Sequence, residues 1–368
     1  MSLPHCKDGL KCYRVNTEHV ETYTHDEACA SSEQKKRQHF DAECNRAKKS
    51  KTGCKTSTEL QDKIKKAFLV DMPDDFYKFW EFCVSLNSDQ PCDALQETVG
   101  LRLVGPYDIL AGKFDKADPD SVNYLLHWRY FYDPPEFLTV VGGDEKSGFH
   151  IGYFRDDPKE MPSFVASNCA QETCEIKRMG ETLFAAVRAH IQTKRISTKD
   201  KRKHDQLMEL EKSLVAAAQS ACIASDVKKP SAIAKDRYKR VVAKTFHKAG
   251  IVVSVDEKEV GYRPLGITDG QLKTLLADIR KCSNEKSVAK EDELQELITY
   301  VQFANDECDY GMGLELGMDL FCFGTGFEDK AANLLSMAYS LLARDEFATI
   351  AEVHSKNRSR PSLSQLEV

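Results

Sequence analysis

The chain of 368 residues has no run of eighteen apolar residues, which excludes a helical membrane span. Its first residues, Met1-Ser2-Leu3-Pro4-His5-Cys6, have no apolar h-region, so no secretory signal is expected. No internal repeat is seen. The most informative absence is of positive charge. From Glu291 to Asp329 there is no Lys, Arg or His, while the same window holds eleven acids: Glu291, Asp292, Glu293, Glu296, Asp306, Glu307, Asp309, Glu315, Asp319, Glu328 and Asp329. The whole chain carries only −6, so everything outside the window sums to +5. A concentrated negative surface on a mildly positive body steers cationic partners toward one face. Carboxylates crowded together also raise each other's pKa, which favours proton-accepting chemistry near neutral pH.

What is present is a soluble, globular composition, 41% hydrophobic and 30% charged, with ample material for a core and a length that suggests about two or three domains. The thirteen cysteines are odd in number. Without a signal peptide they read as reduced thiols or metal ligands in a reducing compartment.

Residues 1–28 are rich in Cys and His and lack a hydrophobic repeat. Residues 29–57 are polar and basic, with Lys35-Lys36-Arg37 and Lys48-Lys49-Ser50-Lys51. They read as a flexible linker whose basic clusters are either a nuclear localisation signal, a nucleic-acid patch or simply solvated. A folded body begins near Glu59. Leu60, Ile64 and Phe68 have helical spacing, and Pro73 opens a second helix with Phe76, Phe79, Trp80 and Cys83 on its inner face. Leu101–Val104, Leu125–Tyr132, Leu138–Val141 and Phe149–Phe154 read as strands separated by Gly- and Pro-rich turns, with Trp128 and Tyr130 packing on the sheet. Helices follow at Thr182–Lys194, around Leu207–Ala218, and at Gln271–Cys282, Asp292–Asn305 and Asp329–Ala343, with an extended section at Gly250–Val255. The expected fold is α+β: a mixed lobe over residues 58–180, then a mainly helical lobe over 181–356 that carries the acidic segment, and a disordered tail over 357–368.

Cys6, Cys12, His19 and His25 have the spacing C-x5-C-x6-H-x5-H. Two thiolates and two imidazoles make a closed tetrahedral zinc site, and the metal would supply most of the folding free energy of so short a segment. His5 is an alternative ligand. The insert of a DNA-reading finger is missing, so sequence-specific DNA binding is not expected. With Gly9, Tyr13 and Arg14, the pattern resembles the poly(ADP-ribose)-binding zinc finger. The resemblance implies that Tyr13 stacks on a base and Arg14 pairs with phosphate. Asp8 stands where that family carries an aromatic, which removes one stacking surface.

The segment Phe303-Ala304-Asn305-Asp306-Glu307-Cys308-Asp309-Tyr310-Gly311-Met312-Gly313-Leu314-Glu315-Leu316-Gly317 places adjacent carboxylates at a helix end, followed by an expected glycine-rich loop. The glycine spacing is wrong for a dinucleotide fingerprint. An EF-hand would need oxygen ligands where Cys308 and Tyr310 stand. Neighbouring acids rarely face each other across a sugar, which argues against a glycosidase. A merely solvated acidic helix end is the bland alternative.

The stretch Phe303–Phe323 resembles the histone PARylation factor family, accessory proteins of the DNA-damage poly(ADP-ribose) polymerases. The resemblance extends through Leu103–Lys113, Leu126–Arg129, Tyr132–Phe137, Gly152–Asp156, Lys244–His247 and Val260–Arg263. It implies a protein with no complete active site of its own, which docks on the polymerase catalytic domain so that ADP-ribose passes from NAD, bound by the polymerase, to serine on histones. By the same resemblance Glu307 is the catalytic base, Asp306 contacts the polymerase, Arg263 supports the joint site and Tyr262 packs at the interface. A nuclear location on chromatin at DNA breaks is implied. The competing expectation is a poly(ADP-ribose)-reading recruitment module without a catalytic contribution.

Overall fold

A computed structural model of the chain describes residues 58–115, 123–226, 232–281 and 285–360. The zinc-ligand set Cys6, Cys12, His19 and His25, the reader residues Tyr13 and Arg14, and the basic linker lie outside the described residues.

Helices α1 (Thr58–Phe68), α2 (Asp74–Leu86) and α3 (Gln96–Val99) precede strand β1 (Arg102–Leu103) along the chain, and α4 (Pro106–Leu110) follows it. Strands β2 (Phe137–Gly142), β3 (Phe149–Phe154), β4 (Phe164–Cys169) and β5 (Lys177–Gly180) complete a five-stranded antiparallel sheet in the order β1-β2-β3-β4-β5. Successive side chains in a strand face opposite ways, and both faces of this sheet are covered. Leu138, Val140, Ile151, Tyr153 and Val165 join a core with α1, α2 and two later helices, α5 (Leu183–Ser197) and α6 (Lys201–Ser220). The alternate residues Phe137, Phe154, Phe164 and Ala166 form a smaller cluster on the other face. The Arg237 guanidinium lies 5.3 Å from the Phe154 ring centre and 4.9 Å from that of Phe164, capping this cluster.

Helix α7 (Ala232–Arg240) leads into a two-stranded antiparallel ribbon of β6 (Val241–Ala243) and β7 (Ile251–Val252), which shares a second core with helices α8 (Asp269–Lys281), α9 (Glu285–Asp306), α10 (Tyr310–Phe323), α11 (Glu328–Leu341) and α12 (Asp345–Asn357). The fold is thus α+β, with the large sheet early and helices dominating later. No described helix is long and apolar enough to cross a membrane.

Two expectations need correction. Leu125–Tyr132 is not a strand. It forms a 3-10 turn, Tyr124–Leu126, followed by a sharp reversal at Trp128 with φ of 54°. The cause is the buried Arg129, whose guanidinium donates to the carbonyls of Leu125 at 2.9 Å, Pro134 at 2.9 Å and Phe137 at 3.2 Å. These bonds fold the segment on itself, and Tyr130 then stacks on His150 with ring centres 3.8 Å apart.

The expected glycine-rich loop is the second correction, because Gly311, Gly313 and Gly317 belong to α10. Glycine disfavours an isolated helix, yet this helix is buried almost all round. A methyl group on Gly313 would lie 3.1 Å from Val301 of α9, and one on Gly317 would lie 3.1 Å from Leu334 and Leu335 of α11. Glycine here permits close approach of neighbouring helices rather than a turn.

Candidate functional site

The site is assembled at the end of α9 and the start of α10. The last turn of α9 closes with the Asp309 N–H donating to the Ala304 carbonyl at 2.8 Å and the Cys308 N–H to Asn305 at 3.1 Å. This is a Schellman-type cap, with Cys308 in the left-handed conformation at φ 67°. The reversal turns Ala304 and Asp309 inward and leaves Asp306, Glu307 and Cys308 exposed. A helix C-terminus carries partial negative charge, and the last turn of α9 has no basic residue. Two exposed carboxylates there work against the helix rather than for it.

The compensating cation comes from the segment after β7. Asp256 builds a tight turn: its Oδ1 accepts from the Lys258 N–H at 2.8 Å and the Val260 N–H at 2.9 Å. Gly261 follows with φ of 133°, its α-carbon pressed so close to the Ser254 carbonyl that a methyl group would sit 2.1 Å from that oxygen. The Gly261 N–H donates to Asp309 Oδ1 at 2.9 Å, and the Gly261 carbonyl accepts from the Gly311 N–H at 2.9 Å. Arg263 is thereby delivered to the helix end. Its Nη2 is bonded to Glu307 Oε2 and lies 2.9 Å from Asp309 Oδ2. The bond to Glu307, with the charge of Asp309 behind it, raises the guanidinium pKa above its ordinary value. The Glu307 side chain remains 59% exposed, so its carboxylate faces solvent even while paired.

Tyr262 points the other way. Its hydroxyl donates to Glu315 Oε2 at 2.9 Å, and burial, helped by Glu315, pushes the phenol pKa up. Burial raises the Glu315 carboxyl, and the Tyr262 bond opposes that rise. One turn on, burial pushes Asp319 up to about 8, although its Oδ1 accepts the Phe246 N–H at 2.7 Å.

The eleven acids therefore do not form one surface. Glu291, Asp292, Glu293, Glu296, Asp306 and Glu307 line the exposed side of α9, whereas Asp309 and Asp319 are buried and Glu315 is half-buried. Of the residues singled out from the sequence, Arg263 and Glu307 are brought into direct contact. Asp306 sits beside them and is exposed, while Tyr262 supports the loop from within. Asp309 is the residue that sequence reasoning missed. Asp309 stands at the N-cap position of α10, yet its side chain makes no cap bond and is spent on Gly261 and Arg263. No group of three or more potential metal-ligating side chains is found among the described residues.

The arginine-held carboxylate stands on an outer helix end, and the recesses around Ser163, Gly143, Gly270 and Ser254 are lined by other residues. Among known proteins, the family model described as histone PARylation factor 1 matches residues 59–358, and the chain belongs to this family. It is 45% identical over 313 residues to histone PARylation factor 1 of Mus musculus, covering 84% of this chain and 90% of the relative. It is 46% identical over 311 residues to that of Bos taurus, covering 84% and 89%, and 44% identical over 328 residues to that of Danio rerio, covering 88% and 93%. Membership supports an accessory role in histone PARylation. Arg263, Asp306 and Glu307 all lie within the matched span.

Proposed function

We propose that this chain docks on the catalytic domain of a DNA-damage poly(ADP-ribose) polymerase and completes its active site for transfer of ADP-ribose to serine, above all on histones. The observation that carries this reading is the exposed Glu307 carboxylate held by Arg263 at the end of α9. A carboxylate acceptor is already ionised and needs no base. A serine hydroxyl is a weak nucleophile and needs its proton removed as the oxygen attacks. In the joint site the serine oxygen forms a bond to the anomeric carbon of the ribose, nicotinamide leaves with the electrons of the broken C–N bond, and Glu307 receives the hydroxyl proton. NAD is held by the polymerase. Arg263 orients Glu307 through charge-assisted hydrogen bonding, and Asp306 is an anchor for a cationic or imidazole group of the polymerase. The acids along α9 attract Lys- and Arg-rich histone tails.

Modification of a histone peptide by the polymerase with and without this chain, with the acceptor residue mapped, tests the reading. Glu307→Gln should lower serine transfer by about 10²- to 10⁴-fold, the usual range for loss of a general base, while the affinity for the polymerase stays near wild type. Asp306→Asn should do the reverse in emphasis, weakening the complex in a binding titration. Serine transfer at wild-type rate by Glu307→Gln would leave a recruitment role alone.

Toward the N-terminus we propose a zinc finger held by Cys6, Cys12, His19 and His25 that binds poly(ADP-ribose) through Tyr13 and Arg14. Two thiolates with two imidazoles suit zinc. Such a finger would raise the local concentration of the chain at modified chromatin in the nucleus. Metal analysis of the full chain, and polymer binding by Arg14→Ala, test the two halves of this proposal separately.

A further inference from the structure

We propose that Asp309 is the positioning residue of this site, aligning the Glu307 carboxylate through Arg263. The inference rests on the reading of Glu307 as the base and deepens it. An exposed ion pair between two long side chains holds little orientation by itself, because both chains retain rotamer freedom. The Arg263–Glu307 pair is of that kind, with side-chain exposures of 48% and 59%. Asp309 is different, with a side chain only 7% exposed. Its backbone N–H closes α9, and the next residue begins α10. Both of its carboxylate oxygens are committed: Oδ1 accepts the Gly261 N–H at 2.9 Å and Oδ2 faces Arg263 Nη2 at 2.9 Å. A buried carboxylate with both oxygens engaged is a fixed point. One side of the guanidinium is thus tied to the rigid α9–α10 junction, and the shared Nη2 also meets Glu307. The same side chain anchors the Gly261–Arg263 loop, so the origin of the arginine and its far end are set by one residue.

The two tasks of Asp309 can be separated. Asp309→Asn keeps a carbonyl oxygen for the Gly261 N–H but replaces the oxygen facing Arg263 with an NH2 group, which cannot accept from a guanidinium. In the joint reaction with the full chain, polymerase catalytic domain, NAD and a histone peptide, this variant should lower kcat for serine transfer by about 10- to 100-fold, the scale of a misaimed catalytic group. KM for the peptide, affinity for the polymerase and Tm should stay near wild type. Arg263→Gln should produce a similar loss, and Asp309→Asn combined with Arg263→Gln should be no worse than either alone, because the two act as a unit. A purely structural Asp309 would instead lower Tm and give additive losses.

Wild-type kcat in Asp309→Asn, or additivity in the double variant, overturns the proposal. If Asp309→Asn does not fold, Arg263→Gln alone decides: a lowered kcat at unchanged Tm supports the proposal, and an unchanged kcat overturns it. Glu307→Gln is run alongside. If it retains full serine transfer, the base reading fails and the positioning role falls with it. If it is inactive while Asp309→Asn is fully active, only the positioning role fails.

Discussion

Asp319 shows at the scale of one residue how burial and charge are balanced near the site. Its carboxyl is pushed by burial from an ordinary 3.8 up to about 8, and the nearby Glu315 adds to the rise while the Phe246 N–H opposes it. A group whose folded-state pKa is raised stabilises the fold at low pH, and that contribution is lost as pH climbs through the folded value. Burial pushes His190 down to about 4 and His247 down to about 3, which acts in the opposite sense. Their contribution is complete above their ordinary 6.5 and is lost only as pH falls below it. Buried Glu136, pushed up to about 7, acts in the same direction as Asp319 but is finished sooner. Tm should therefore fall as pH rises from about 6.5 to about 8, and Asp319→Asn, which keeps an acceptor for Phe246, should flatten that fall. Thermal melts across this window check the expectation, and an equal slope in the variant would reject Asp319 as its source.

At the scale of elements, α10 decides how α9 and its acidic end are held. Gly317→Ala gains helix propensity worth about 1 kcal/mol. It also pushes a methyl group to 3.1 Å from Leu334 and Leu335, and overpacking of that kind costs about 1–3 kcal/mol. The net expectation is a loss of stability in denaturant titration. Gly270→Ala, at the start of α8 with nothing within 4 Å of the added methyl group, should instead gain about 0.5–1 kcal/mol.

The same helix explains what could be read in advance. The stripe Leu294, Leu297, Ile298 and Val301 is a local pattern, and in the fold Leu294 and Val301 are buried with Leu297 and Ile298 packed against them. Phe76, Phe79 and Cys83 likewise turn inward. Glycines at 311, 313 and 317 read locally as a loop, because their value as helix residues exists only once the Gly261–Tyr262 segment, α9 and α11 lie against them in turn. Arg129 likewise reads as one polar residue in a strand until its four carbonyl partners, as far away as Phe137, are brought together. Strands β4 and β5 went unread, the latter being the polar run Lys177-Arg178-Met179-Gly180. Asp306 and Glu307 stand out in the sequence as adjacent carboxylates at a helix end, whereas Arg263 is singled out only by the family resemblance. Asp309 was hidden because its role depends on a loop 48 positions away.

Across the whole of the described body, buried polar contacts join the sheet to the later helices. Arg237 of α7 grips Asp156, just beyond β3, with two bonds of 2.7 Å, both side chains being nearly buried. The Tyr339 hydroxyl of α11 donates to Glu136, just before β2, at 2.6 Å. Arg358 lies over the rings of Phe131 and Phe321 and donates to the Phe321 carbonyl at 2.9 Å. These contacts are costly to break singly. Asp156→Ala leaves the Arg237 charge buried without its partner and should destabilise the protein by about 3–5 kcal/mol. Equilibrium unfolding of the variant measures the loss, and a change below 1 kcal/mol would show that water reaches the guanidinium.

The outward placement of Glu307 has a kinetic corollary. A base kept inside its own cleft works at a rate set by substrate alone. A base displayed on a helix end and lent to another protein makes output depend on the proportion of two chains. On the proposed reading, serine modification rises with the dose of this protein and levels off when every polymerase is occupied. Below that point, each complex that dissociates after a turnover frees Glu307 to serve another polymerase molecule. The balance between serine and carboxylate acceptors then becomes a matter of relative abundance and residence time, so a cell could retune its modification pattern by changing how much of this chain it makes.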